Sequence, residues 1–328
     1  IPGLAPFPAS DPAPVTALLA QCPRHAPTPL VEAPGLARAM GIARLWIKDE
    51  RARMGLGSFK ALGAAHAIAC DAEAADAPID RQPLQDRVYI TASAGNHGLS
   101  VAAGARVFGA RAVVVLAETV PESFAERLRA RGAEVCRAGR CYEDSMAAAA
   151  DIADREGWTL LSDSSWPGYS DAPLRVMEGY LQLVAEAVQQ IPEPPSHIVV
   201  QAGVGGLAAA VAAHARRVWG DGPSIIVVEP EEAPALIAAI AAGRVVDTEG
   251  SVSCMGRLDC KTASLIALNG LARDADRFVT VSEDDARGAV ARLAALGLET
   301  TPSGAAGVAA LIAGLGIGEA TVMAILSE

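Results

Sequence analysis

Aromatic side chains are scarce in this chain of 328 residues: four Trp, four Tyr and five Phe make up 4% of it. A core short of them must be filled by Ala, Val, Leu and Ile, which suits close packing of helices on sheet. Charge is thin as well, at 20% of residues, whereas apolar residues reach 51% and mean hydropathy is +0.28. Disordered chains combine low hydrophobicity with high net charge, so disorder is excluded for most of the length. No run reaches the roughly 20 apolar residues that a membrane span needs. The nearest, Ile198 to Ala213, is short and carries Gln201 with Gly203, Gly205 and Gly206. It reads as a strand, a loop and a helix start. Basic charge is in deficit, with 27 Lys+Arg against 38 Asp+Glu and a net charge of −11. Nucleic-acid binding needs a basic face, so neither a nucleic acid nor a membrane is expected as a partner.

Disulfide and metal signatures are missing too. Cys22, Cys70, Cys136, Cys141, Cys254 and Cys260 fall at irregular spacings without a C-x-x-C pair. A chain this long does not need stapling, so free thiols and a reducing, cytoplasmic setting are expected. Ile1 to Pro14 is proline-rich and lacks a basic n-region and an apolar h-region, so no secretory signal is expected there. The missing initiator Met implies only processing or trimming.

What the chain does have is alternation. The length gives a prior of about two domains. Short β-branched runs at Ala43–Lys48, Arg87–Thr91, Ala112–Ala117, Glu134–Arg137, Thr159–Leu161, Ser196–Gln201, Ser224–Glu229 and Arg277–Val281 are separated by alanine-rich helical stretches. Helices are expected at Gly98–Phe108, Pro121–Arg131, Glu143–Glu156 and Pro173–Gln190. Strands alternating with helices mean βαβ units and a mostly parallel sheet. The stretch from Gln82 to Leu161 would make a compact unit by itself, inserted into a larger one. The break Ile191-Pro-Glu-Pro-Pro195 is expected to be a loop.

Three glycine-rich segments follow expected strands, where ligands of open α/β sheets bind. In Gly55-Leu-Gly-Ser-Phe-Lys60-Ala-Leu-Gly63 the lysine opens an apolar helix. Desolvation there would lower its pKa toward that of a nucleophile; a solvated lysine at a helix start is the alternative. In Thr91-Ala-Ser-Ala-Gly-Asn-His-Gly98 the free N–H groups of a helix start suit a carboxylate. Asn96 could donate to a ligand oxygen. His97 is a general base or, preferably, a satisfied and partly buried histidine. Gln201-Ala-Gly-Val-Gly-Gly-Leu207 lets backbone approach a phosphate but matches neither G-x-x-x-x-G-K-[ST] nor G-x-G-x-x-G.

The set, in this order, resembles the fold-type II family of pyridoxal-phosphate enzymes, which includes tryptophan synthase β, serine and threonine dehydratases and cysteine synthase. The resemblance covers nearly the whole chain. It implies two doubly wound, three-layer α/β domains: a large cofactor-binding one formed by residues 1–65 and 165–328, and a small inserted one at 66–164. It implies pyridoxal 5'-phosphate as cofactor, carried by Lys60 beside Phe59. Gly203, Val204, Gly205, Gly206 and Leu207 would hold its phosphate, and Asn96 would meet its 3'-oxygen. Ser93, Ala94, Gly95 and His97 would hold the substrate carboxylate. Ser303, in Glu299-Thr-Thr-Pro-Ser-Gly-Ala-Ala306, would meet the pyridine nitrogen. With the motifs in order, the solvated reading of Lys60 is set aside.

Within the family, Lys48-Asp-Glu-Arg51, Asp163-Ser-Ser-Trp-Pro-Gly-Tyr169, Met177-Glu-Gly-Tyr180, and Met255 with Leu258 and Cys260 look like the diaminopropionate ammonia-lyase branch. This resemblance implies that Asp163 and Tyr169 stand near the substrate, Asp163 pairing with a distal ammonium or handling its proton; a turn-capping role is the alternative. That branch has Asp before G-N-H-G, where this chain has Ala94. The expected reaction is α,β-elimination of ammonia from 2,3-diaminopropionate or a similar β-substituted amino acid, giving a 2-oxo acid. The alternatives are dehydration of a β-hydroxy amino acid (serine, threonine, 3-hydroxyaspartate or an aryl-serine) and, third, β-replacement. No metal is expected; Glu229 and Ala233 match two positions of a relative's cation site, but the later Asp is Ala235. The family suggests a homodimer.

Overall fold

The computed structural model describes residues 6–75 and 82–328. The start of the proline-rich segment and part of the expected 66–164 unit, at 76–81, lie outside the described residues. The elements run α1 (Ala13–Leu19), β1 (Leu30–Glu32), α2 (Pro34–Met40), β2 (Arg44–Asp49), α3 (Lys60–Ala74), β3 (Val88–Ala92), α4 (Asn96–Val107), β4 (Arg111–Leu116), α5 (Glu122–Arg129), β5 (Glu134–Arg137), α6 (Tyr142–Glu156), β6 (Thr159–Leu160) and α7 (Asp171–Gln190). They continue β7 (His197–Gln201), α8 (Gly206–Trp219), β8 (Ser224–Pro230), α9 (Ala235–Ala242), α10 (Leu265–Asp274), β9 (Arg277–Val281), α11 (Glu283–Ala294), α12 (Pro302–Ala313) and β10 (Thr321–Leu326).

Two sheets form, ordered β1-β2-β10-β7-β8-β9 and β5-β4-β3-β6. Every pairing is parallel except β1 with β2, an antiparallel edge. Strands buried on both faces read as unbroken apolar runs, and side chains alternate between two cores. In the larger sheet Ile198, Val200, Ile225 and Val227 pack with α7, α8 and α10. Val199, Ile226 and Val228 face the opposite way, onto α11 and α12. In the smaller sheet Ile90, Val113 and Val115 pack on Ala149 and Ala153 of α6. This is the expected layering of helix, sheet and helix.

All eight expected strands form. Two more were not expected: the short edge strand β1 and the central strand β10, whose sequence Thr-Val-Met-Ala-Ile-Leu mixes helix and strand formers and has no alternation to read. Pro121 stands at the N-cap of α5, one place before the first turn. No helix among the described residues is long and apolar enough to cross a membrane.

Two features fix the start of α3. Helices α3 and α7 cross at glycines: a Cβ at Gly63 would lie 2.6 Å from Tyr180 Cε1, and one at Gly179 would lie 2.5 Å from Leu62 O. Only glycine permits that approach. Beneath it lies a fully buried ionic network. Glu186 of α7 accepts from Lys48 Nζ at 2.8 Å, Arg53 Nη2 at 2.7 Å and Arg53 Nη1 at 2.8 Å, while Glu50 takes Arg53 Nε at 2.8 Å. Lys48, Glu50 and Arg53 are each 0% exposed. The segment leading to Lys60 is thus tied to the long helix behind it.

Candidate active site

Strands β3, β6, β7 and β10 point their carboxyl ends at one cavity of about 270 Å³ between the sheets. The glycine turn follows β7. Gly205 has φ +100° and caps α8, and a Cβ there would lie 2.9 Å from Ala267 Cβ. A Cβ at Gly203 would lie 3.0 Å from Cys260 Sγ and 3.1 Å from Leu258 Cα. Residues 203–207 all line the cavity. The first N–H groups of α8 have no partner within the helix, and its dipole adds positive potential at that end.

Opposite stands Lys60. Phe59 N donates to Ser327 O at 3.1 Å, and Lys60 N donates to Ser58 Oγ at 3.3 Å, which locks the first turn of α3 against the end of β10. Phe59 meets Tyr180 edge-on at 4.9 Å between ring centroids, and Lys60 Nζ lies 5.2 Å and 5.7 Å from those two rings. Lys60 Nζ donates to Asp163 Oδ2. Burial alone would push Lys60 down, but the Asp163 carboxylate outweighs it and holds the ammonium above its ordinary range. Burial would likewise raise Asp163, and Lys60 overrides it, so the carboxyl sits far below its usual range. The chain contains three lysines. Lys48 is spent in the buried network, and Lys261 pairs with Asp259 at 2.7 Å. Lys60 is the lysine that lines the cavity.

Asp163 is presented by a built loop. Trp166 and Tyr169 bridge and stack at 4.3 Å, with Gly168 at φ +87° in the turn between them. Tyr169 Oη donates to Leu160 O at 2.9 Å and accepts from Ser162 N at 3.0 Å. The capping alternative for Asp163 does not hold, since α7 begins only at Asp171 and the carboxylate is turned to Lys60. Tyr169 itself does not line the cavity: its hydroxyl is committed to the loop backbone.

Helix α4 begins at Asn96, two residues before the sequence expectation, so Asn96 and His97 lie in its first turn with Gly95 as N-cap. Ser93, Ala94, Gly95, Asn96 and His97 line the cavity. His97 is 4% exposed and its Nε2 meets Leu161 O at 2.8 Å. Burial, offset only in part by Asp163, lowers its pKa. A neutral ring donating to a carbonyl is the satisfied-histidine alternative, although Nδ1 is buried without a partner among the described residues.

Ser303 departs from its expected place. Ser303 is 2% exposed and does not line the cavity; its Oγ accepts from Arg257 N at 3.0 Å, one layer behind the wall. Glu229 is 0% exposed, and its oxygens accept from Leu236 N at 2.7 Å and Ile237 N at 2.9 Å, so it caps α9. Ala233 merely closes the turn between them, its N donating to Pro230 O at 3.0 Å. No group of three His, Cys, Asp or Glu able to hold a metal occurs among the described residues.

Sequence reasoning missed Tyr142, Gln201, Arg257, Asp259, Ser327 and Glu328 as lining residues. Glu328 accepts from Asn96 Nδ2 and Thr301 Oγ1, and its Oε2 lies 3.4 Å from Arg257 Nε. Only the position of Ser327 and Glu328 after an apolar run could have flagged them, and that run was not recognised as β10. Cys260 also lines the cavity. Burial, reinforced by Asp163, pushes its thiol up to about 12, so it is no nucleophile at neutral pH.

A glycine cradle at a helix N-terminus, facing one partly buried amine, has the donor set for a phosphorylated aldehyde: an anion cup for the phosphate and an amine for the carbonyl. Residues 22–328 match the family model described as pyridoxal-phosphate dependent enzyme. The chain belongs to that family. It is 35% identical over 240 residues to diaminopropionate ammonia-lyase of Salmonella typhimurium, a stretch covering 68% of this chain and 59% of that protein. It is 31% identical over 255 residues to the serine dehydratase-like protein of Homo sapiens, covering 78% and 72%. Among solved structures, Escherichia coli diaminopropionate ammonia-lyase, in complex with an aminoacrylate-PLP azomethine reaction intermediate, superposes with a TM-score of 0.87 at 26% identity. That match covers 98% of this chain and 89% of the other. The family's cofactor, pyridoxal phosphate, fits the cavity's donors as they stand.

Proposed function

We propose that this chain catalyses α,β-elimination from a β-substituted amino acid, with 2,3-diaminopropionate the first candidate, giving a 2-oxo acid and ammonia. The observation that carries it is the Lys60–Asp163 pair facing the glycine cradle. When bound, the cofactor supplies the electron sink for a carbanion at Cα. In this reading Gly203 to Leu207 bind its phosphate, Asn96 its 3'-oxygen, and Ser93 to His97 the substrate carboxylate at the positive end of α4. Lys60 takes the Cα proton. Asp163 is kept ionised by the charge on Lys60; once that charge is gone, burial drives the carboxyl up, and it can deliver a proton to the departing amine. Phe59 and Tyr180 keep water from the amine. Ser303 acts through Arg257, and Tyr169 through the Asp163 loop, rather than by touching substrate.

Dehydration of a β-hydroxy amino acid is the second reading. Ala94 favours it, since no carboxylate stands at that place to attract a second ammonium, and so does the 31% identity to the serine dehydratase-like protein. We further propose a large unit of residues 1–65 and 165–328 with a small one at 66–164; the four-stranded sheet, drawn entirely from residues 88–160, supports that division. The family resemblance and six free cysteines support a cytoplasmic homodimer. The test is to load the protein with pyridoxal phosphate, supply L- and D-diaminopropionate, serine, threonine and 3-hydroxyaspartate, and measure 2-oxo acid. Absence of product from all of them sinks the elimination reading. A new amino acid formed on adding a thiol with O-acetylserine would point to β-replacement instead.

A further inference from the structure

A second hollow adjoins the main cavity and shares Ala94 and Arg257 with it; Val120, Pro121, Ser123, Phe124 and Arg127 complete its wall. Two arginines therefore line one recess beside the N-terminus of α4. Arg127 lies over the Phe124 ring at 5.4 Å, and no acceptor among the described residues pairs with it. Of the two acids on α5, Glu126 forms no ion pair with it, and Glu122 is taken by Arg129 at 2.6 Å and Arg137 at 2.7 Å. Arg257 lies across Gly95, where a Cβ would be 3.3 Å from its Cδ, and its backbone is pinned by Ser303. Its Nε is 3.4 Å from Glu328, while its terminal nitrogens have no acceptor among the described residues.

Three cations, Lys60, Arg127 and Arg257, and three acids, Asp163, Asp259 and Glu328, line the two hollows, but they do not pair one to one. Lys60 and Asp163 neutralise each other, as do Lys261 and Asp259. Glu328 offsets one guanidinium and leaves the other in excess. Ala94 is exposed and offers only a methyl group between them. Guanidinium recognises carboxylate through two parallel N–H donors.

We propose that Arg127 and Arg257 form a subsite for a second anionic group on the substrate, a carboxylate on the β-carbon. The proposal rests on the elimination reading in its second form, dehydration, which it places ahead of 2,3-diaminopropionate, and it narrows the substrate to a β-hydroxy amino dicarboxylic acid. In that reaction the Cα–H and Cβ–O bonds break and water leaves. Hydrolysis of the released enamine then takes up water and gives the 2-oxo dicarboxylic acid and ammonia, with no net oxidation. The same two guanidiniums repel the second ammonium of diaminopropionate.

The test compares kcat/KM of the holoenzyme for 3-hydroxyaspartate, serine and O-phosphoserine, and by calorimetry the binding of succinate and propionate. The subsite predicts 3-hydroxyaspartate over serine by at least about ten-fold and succinate bound more tightly than propionate, both gaps closing with added salt. Arg127→Gln and Arg257→Gln should each cut the 3-hydroxyaspartate to serine ratio by about ten-fold or more. Ala94→Asp, which places a carboxylate between the guanidiniums, should do the same from the other side. A ratio unchanged in all three variants overturns the subsite while leaving elimination intact. Preference for O-phosphoserine overturns the carboxylate assignment. Should no amino acid react, the elimination reading has failed on its own, and equal binding of succinate and propionate would then overturn the subsite as well.

Discussion

Replacing Glu186 by Gln should destabilise the protein by about 3 to 5 kcal/mol at pH 7, the usual cost of breaking a buried ion pair from one side. Glu186 is 4% exposed and takes five donors: Thr28 N, Lys48 Nζ, two nitrogens of Arg53, and Gln182 Nε2. Burial would raise its carboxyl, but Arg53 and then Lys48 lower it from 4.5 to about 2. That difference corresponds to about 3 kcal/mol of stability at neutral pH, in line with the pair-breaking figure. Arg53 is the stronger partner: it is held above its ordinary range despite burial, whereas Lys48 is pushed below its own because Glu186 only partly offsets desolvation. A glutamine keeps the shape but turns an amide toward donors. Because the folded pKa is depressed, the stabilisation is complete above pH 4.5 and is lost as pH falls toward 2. Urea unfolding followed by circular dichroism, for wild type and variant across pH 2 to 7, measures it. A difference under about 1 kcal/mol at pH 7, or one that does not shrink below pH 4.5, would mean that Glu186 does not anchor the network.

Gly179→Ala should push α3 off α7, since its Cβ would lie 2.5 Å from Leu62 O; overpacking of this kind costs about 1 to 3 kcal/mol, and cofactor affinity should fall with the melting temperature. Glu229 is raised by burial to about 7, so its favourable contribution is complete below pH 4.5 and fades as pH rises through 7. Glu229→Gln should therefore flatten the decline of stability between pH 4.5 and 8, and an unaltered pH slope would count against it. Tyr169→Phe removes the bonds to Leu160 and Ser162 that shape the Asp163 loop; kcat should drop about ten-fold with KM for substrate little changed, and an equal rise in KM would mean that Tyr169 touches substrate after all.

Much of this architecture is legible in the sequence because buried parallel strands have to be continuous apolar runs and the helices between them carry their own punctuation. The glycine turn at 203–206 and the Ser-Phe-Lys60 segment stand out for the same local reason. What stayed hidden is what the chain assembles from afar. β10 lacks alternation, so the end of the chain was not seen to reach the cavity with Ser327 and Glu328. Ser303 looked like a wall residue because its motif is local, while its position behind Arg257 depends on a contact across 46 residues. Arg257 and Arg127 come to line one hollow with Ala94 only through the folding of separate elements, and no spacing could reveal them.

In the proposed elimination Lys60 carries the cofactor and is the base. Reduction of the loaded protein with borohydride, followed by peptide mapping, tests it directly, because only Lys48, Lys60 and Lys261 offer an ε-amine. The expected result is a pyridoxyl group on the peptide containing Lys60 and its loss in Lys60→Ala together with 2-oxo acid formation. A pyridoxyl group on Lys48 or Lys261, or undiminished turnover by Lys60→Ala, would contradict it.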